Sequence, residues 1–277
     1  MPELTTNSQA ATGFRFEIPR FSSTASQLVE RLNDEEVKVC EVIQLIECEP
    51  TIGSQILSLA NSPVFGASRV VSTIGQAIVV LGFRCVAQQA IAASSGALFK
   101  SGDEKSARHR TKTYVQSLGT AAVARRLAST TNDADPDEFF LVGIVHDIGK
   151  LVLLHHAGED YTEVLDRYPT EEAIAREMEL FGINHMVLGR QCGAAWSLPQ
   201  HMCASIEDHH LTLDEVSSPL TRTIVGASYL AKKWELGFEH EDFIEEDLCE
   251  TELDDIQSPD LETLCREDFE TLRDICC

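Results

Sequence analysis

Several signatures are missing from this chain, and each absence removes a class of function. Its nine cysteines (40, 48, 85, 192, 203, 249, 265, 276 and 277) are an odd number with no Cys-x-x-Cys spacing, so neither a disulfide framework nor a zinc ribbon is indicated. A reducing, cytoplasmic setting is expected. No apolar run approaches the roughly 18 residues of a membrane span, and Met1 to Phe21 has no basic start followed by an apolar block, so a soluble, unexported chain with no membrane partner is expected. Gly-rich phosphate loops, Ser-His-Asp order signals and a Cys-His nucleophile pair do not occur. Nor does a Lys/Arg stripe with interleaved aromatics. The net charge is −23, and Glu235 to Cys277 alone holds 17 acidic and 2 basic residues. Such a polyanion repels phosphate backbones, which argues against a nucleic-acid partner.

What is present is helical. The 277 residues include 43% hydrophobic ones, enough for one large or two modest domains with a substantial core. Residues 1–17 are polar and predict a flexible leader. Short apolar faces follow, around Leu28-Val29-Leu32, Val39-Val42-Ile43-Ile46 and Ile52-Ile56-Leu57-Ala60, separated by Asn33-Asp34, Glu49-Pro50 and Asn61-Ser-Pro63. Thr73 and Gln76 spell a capping box closed by Gly82. An Ala-rich stretch spans Arg84 to Phe99, and the polar break Lys100 to Lys105 reads as a seam between lobes. Tyr114 to Ala128 predicts a strong helix with Arg125-Arg126 at its solvated end. Asp135 caps the next, with Pro136 at its first position and Glu138 completing a box. Thr170, Asn184 and Ser218 are expected caps further on, and Pro199 another start. No period-2 run bounded by turns occurs, so the fold class is all-α. In the tail, Ser258-Pro259 opens a helix with a narrow stripe of Leu261, Leu264, Leu272 and Ile275. It reads either as a helix packing back on the body or as a partner-binding or disordered arm. Cys276-Cys277 suggests an unreactive terminus rather than a redox switch.

The chemistry concentrates at Val-His146-Asp147-Ile-Gly-Lys150. Placed in the last turn of a buried helix that Gly149 then breaks, His146 and Asp147 need a partner or a metal. His185, His209 and His210 lie on later helices and are able to turn towards them. Several imidazoles with one carboxylate would suit a transition metal, which with an open position generates hydroxide for attack on a phosphoester. Equally, the same residues would hydrogen-bond helices into register.

A resemblance narrows this. Ile18-Pro19, the Glu49-Pro50 break, Leu59-Ala-Asn-Ser62, Phe65-Gly66, Gln76-Ala-Ile-Val-Val-Leu-Gly82, His146-Asp-Ile-Gly-Lys-Leu151, Glu177 with Phe181-Gly182, His185 before Gly189, Trp196-Ser-Leu-Pro199 and His209-His210 occur in order. Together they resemble the HDOD domain, a bacterial signalling relative of the HD superfamily of metal-dependent phosphohydrolases. The resemblance implies an HDOD domain over 18–236, with an N-terminal lobe at about 18–104 and an HD-like lobe at about 105–236, followed by an acidic helical tail, 237–277. It also implies His146, Asp147, His185, His209 and His210 as the metal set. Two positions depart from catalytic HD enzymes: Gln116 stands where a ligand histidine is expected, and Ser228 where an aspartate is. The Gly-Tyr-Pro loop of cyclic-dinucleotide phosphodiesterases is also missing, since the chain reads His209-His-Leu-Thr-Leu-Asp-Glu-Val216. The expectation is a non-catalytic signal-transduction or scaffold protein that binds other signalling proteins and keeps no cofactor. The alternative is a metal-dependent phosphohydrolase with a reduced ligand set and Lys150 near a substrate phosphate.

Overall fold

A computed structural model of the chain describes residues 8–9, 15–18, 27–28, 31, 37–48, 50–62, 69–83, 85–86, 89–90, 104–130, 135–237 and 259–276. Apart from an antiparallel two-residue ribbon, β1 (Ser8–Gln9) with β2 (Arg15–Phe16), the regular structure among these residues is helical, and the class is all-α as expected. The end of the expected leader is not loose. Phe16 is buried edge-on against the His156 ring, and His156 Nε2 donates to the Glu17 carbonyl at 2.9 Å.

Three helices follow: α1 (Val39–Glu47), α2 (Pro50–Ala60) and α3 (Ile74–Leu81). Their connection is held by Asn61, whose side-chain amide exchanges two 2.7 Å hydrogen bonds with the Val71 backbone. The capping box at Thr73 and Gln76 forms as expected, with the Gln76 amide on Thr73 Oγ1 at 3.2 Å and the Thr73 amide on Gln76 Oε1 at 3.3 Å. Pro19, Glu49, Pro63, the Phe65-Gly66 loop, residues 91–103, Ser258 and the first acidic stretch of the tail lie outside the described residues.

The spine is α4 (Glu104–Ser129), against which α5 (Pro136–Val145), α6 (Ile148–Ala157) and α7 (Glu159–Arg167) pack. It starts well before the expected Tyr114. The reason is that its inward positions there are Ser106, Arg110 and Thr113, at i, i+4 and i+7, all buried, so hydropathy shows no stripe. Arg110 Nη1 donates to Ser106 Oγ at 2.6 Å. At the other end Arg125 and Arg126 are half-buried and paired rather than free in solvent. Arg125 bridges Asp137 at 3.1 Å and donates to Cys85 Sγ at 3.6 Å, and Arg126 clasps Asp268 of the tail.

Every side of α5 from Phe139 to Val145 is buried, and with α6 it makes a run, Pro136–Ala157, long and apolar enough to cross a membrane; 83% of its apolar window lies inside the protein. Asp135 caps it, accepting from the Asp137 amide at 3.1 Å, but Glu138 does not close a box and pairs with His201 instead. The approach of α5 to α4 is close enough that a Cβ on Gly143 would meet Ala121 Cα at 2.6 Å.

The remaining helices are α8 (Thr170–Phe181), α9 (His185–Ala195), α10 (Gln200–Glu207), α11 (Pro219–Lys233) and α12 (Pro259–Cys276). Asn184 and Ser218 cap as expected. Thr170 does not: it is the first helical residue, and Pro169 holds the cap position without a side-chain bond. In the tail, α12 packs on α4 and α2 through Cys265, Phe269 and Leu272, whereas Leu264 from the expected stripe is 41% exposed. The Asp268–Arg126 pair fixes that rotation.

Candidate functional site

The α5–α6 break comes at His146-Asp147, not at Gly149. His146 follows the last residue of α5, and Asp147 precedes α6 at φ −96°, ψ 14°, a bridge conformation between the two helices that sends its carboxylate out of both ladders. Gly149 serves another purpose. It lets α6 meet the start of α9 so closely that a Cβ there would lie 1.9 Å from the His185 carbonyl oxygen. That contact carries His185 to Asp147.

Three backbone or carboxylate acceptors fix the imidazoles. His146 Nδ1 donates to the Gly143 carbonyl at 2.7 Å, and His209 Nδ1 to the Ile206 carbonyl at 2.6 Å. Glu177 of α8 takes the His185 amide at 2.7 Å and His185 Nδ1 at 2.8 Å, while its other oxygen accepts from Tyr161 of α7 at 2.7 Å. Carbonyls and carboxylates only accept, so each Nδ1 carries the proton and each Nε2 presents a lone pair. These lone pairs converge on Asp147: His209 Nε2 is 3.3 Å and His185 Nε2 3.8 Å from Oδ1, and His146 Nε2 is 3.5 Å from Oδ2. His210 Nε2 lies 3.1 Å from His185 Nε2 and donates to it. Lys150 places its ammonium 2.9 Å from Asp147 Oδ2.

Burial governs the electrostatics. It drives the His146 imidazole down to about 4 and lowers His185 despite the adjacent Glu177, so both are neutral near pH 7. His210 is held well below its usual value by burial and by its His209 and His185 neighbours. For Asp147, burial opposes ionisation, but Lys150 and His146 outweigh it and keep the carboxyl well below the usual range. Glu177 behaves alike: burial raises it, while His185 and the bonds it accepts bring it below normal.

Four of the five residues expected to bind metal come together. One ligand atom from each of Asp147, His185, His209 and His210 lies within 4.8 Å of the others. His146 stands beside them, edge-on to His209 at 5.0 Å, and is outside that group. Asp147 Oδ1 and His209 Nε2 are buried with no hydrogen-bond partner. Facing lone pairs of this kind suit a cation, and three nitrogens with one oxygen suit a transition ion, so the residues present fit a metal. Gln116 on α4 and Ser228 on α11 are half-buried. Sequence reasoning did not foresee the roles of Glu177 and Tyr161. The signal was there for Glu177: Ala173, Glu177 and Phe181 are the buried face of α8, and a carboxylate in an apolar stripe requires a partner.

The HDOD domain pattern matches residues 18–212. An uncharacterised protein of Treponema pallidum (strain Nichols) is 23% identical over 222 residues, which are 76% of this chain; the match spans 42% of that protein's own length. Among solved structures, an HDOD domain protein of unknown function from Geobacter sulfurreducens superposes with a TM-score of 0.70 at 24% identity, covering 91% of this chain and 84% of its own. A protein from Shewanella amazonensis SB2B that carries the provisional name of metal-dependent phosphohydrolase gives 0.69 at 17% identity, covering 95% and 93%. These likenesses are of fold.

Proposed function

The chain belongs to the HDOD domain family, and on that premise we propose that it is a signalling module that acts by binding another protein and does not turn over phosphoesters. The observation that supports this most directly is the 2.9 Å contact of Lys150 with Asp147. Asp147 is the one carboxylate in the four-residue group, and a side-chain cation already balances it. Asp147, His185 and His209 are at most 5% exposed, which leaves little room for a substrate phosphate. Were an ion bound, the four protein ligands would leave no open position for a catalytic water.

Protein purified without chelators is expected to hold under about 0.1 equivalent of transition metal, because the Lys150 ammonium already sits against the one anionic ligand and opposes a second cation there. Bis-p-nitrophenyl phosphate, nucleotides and cyclic dinucleotides with added Mn²⁺, Fe²⁺, Mg²⁺ or Zn²⁺ are expected to remain intact. Turnover that disappears in His185→Ala overturns the proposal.

A second reading, hydrolysis with a reduced ligand set, draws support from the unpartnered Asp147 Oδ1 and His209 Nε2. Asp147, His185, His209 and His210 would hold the ion, and its chemistry would be the acidification of water and polarisation of a phosphoryl oxygen. Glu177 would keep the His185 proton on Nδ1, and Lys150 would face the anionic substrate.

A further inference from the structure

The tail helix α12 lies across α4 and α2, the long spine and a helix of the N-terminal lobe. Its buried side is a narrow stripe, Cys265, Phe269 and Leu272, at i, i+4 and i+7. Asp268 lies inside that stripe and meets Arg126 of α4 in a two-pronged ion pair, with Arg126 Nη2 on Asp268 Oδ1 at 2.7 Å and Nε on Oδ2. Outside the stripe, Arg266 Nη2 holds the Trp234 carbonyl at the end of α11 at 2.8 Å. The receptor and the occupant have different standing. Both α2 and α4 lie within the 18–212 span that makes the HDOD domain, and α12 lies beyond it. Residues 238–258, which precede α12, carry ten acidic and no basic side chains. An apolar groove with a cation at one point, filled by an amphipathic helix from beyond the domain, has the form of a helix-in-groove site occupied in cis.

We propose that the α2–α4 groove is a helix-binding site, and that the partner is a protein helix carrying α12's pattern: an aromatic and an aliphatic residue three apart, with a carboxylate next to the aromatic for Arg126. Such a helix takes α12's place, and the tail regulates access to the groove. The inference rests on the reading that this chain works through protein binding, and it supplies the surface.

The test uses the full chain and a fluorescein-labelled peptide of residues 257–277 with both terminal cysteines as serine. Asp268→Arg sets two guanidinium groups against each other, and Phe269→Ser removes the central apolar contact without altering charge. Both variants are expected to speed amide exchange in α12 by about tenfold or more while leaving α5 and α6 protected. The peptide is expected to bind either variant about 100-fold more tightly than the unaltered chain, because the tethered helix competes at high effective concentration. An Arg126→Asp chain is expected to reject this peptide and accept one carrying Asp268→Arg. Unchanged exchange in both variants, or equal peptide binding by variant and unaltered chains, overturns the proposal. So does release that yields stable dimers, since the occupant would then be the α12 of a second copy. A failure here leaves the non-catalytic reading intact, and phosphoesterase activity would sink that reading without touching the groove.

Discussion

Glu177 shows how far a single buried carboxylate organises its surroundings. It satisfies Tyr161, the His185 ring and the His185 amide together, with all three residues at 1% exposure or less. Glu177→Ala strands three buried donors at roughly 1 kcal/mol or more each, so a loss of about 3 kcal/mol is expected in urea unfolding. Glu177→Gln retains the acceptor oxygen and is expected to lose less. The pH dependence has a definite sign. His146 is pushed down to about 4 from an ordinary 6.5, so between those values the unfolded chain takes up a proton that the folded one refuses. Its contribution is therefore complete above about pH 6.5 and declines as pH falls towards 4; depressed Asp147 and Glu177 act in the same direction at still lower pH. Urea midpoints are expected to be flat from pH 7 to 8 and to fall below 6.5, with a shallower decline in His146→Gln. At this scale the sequence revealed the histidines and Asp147, because ionisable residues beside apolar stripes are conspicuous. It left Tyr161 hidden, because a buried tyrosine on an amphipathic helix looks like any aromatic core residue until its hydroxyl partner is known.

At the scale of elements, boundaries were legible where a side chain or a left-handed glycine closes them. Thr73, Asp135, Asn184, Ser218 and Gly182 all act as their chemistry dictates. The misplaced ends have a common cause in tertiary contact. Glu138 leaves its box for His201, and the first turns of α4 bury polar side chains that no periodicity of hydropathy reveals. Gly149 reads in sequence as a breaker but is a contact residue, because only a partner helix reveals the distance it must permit. Gly149→Ala puts a methyl group into the His185 carbonyl. It is expected to destabilise the fold by about 3 kcal/mol, at the upper end for overpacking, and to displace His185 from Asp147. Loss of the downfield Nδ1 proton resonance of His185 in NMR is the check. Gly143→Ala, which presses on Ala121, is expected to loosen α5 from α4 while leaving the Glu177–His185 bond in place.

For the whole molecule, the all-α class and the order of helices were legible from capping, breaks and apolar spacing spread over most of the chain. What holds the pieces to one another was not. Arg125 and Arg126, adjacent on α4, reach in different directions, one to Asp137 and Cys85 and the other to the tail, and adjacency in sequence says nothing of either. The placement of thiols has a practical consequence. Cys85, Cys192, Cys203 and Cys265 are buried in separate parts of the body, while Cys40 and Cys48 are exposed. Burial raises Cys85, Cys192 and Cys265 to about 12, so alkylation at neutral pH must wait for each neighbourhood to open. Iodoacetamide labelling followed by peptide mass mapping would then run as a set of clocks in one molecule: Cys265 timing the departure of the tail, Cys85 the parting of the N-terminal helices from α4, and Cys192 the breathing of the histidine cluster itself.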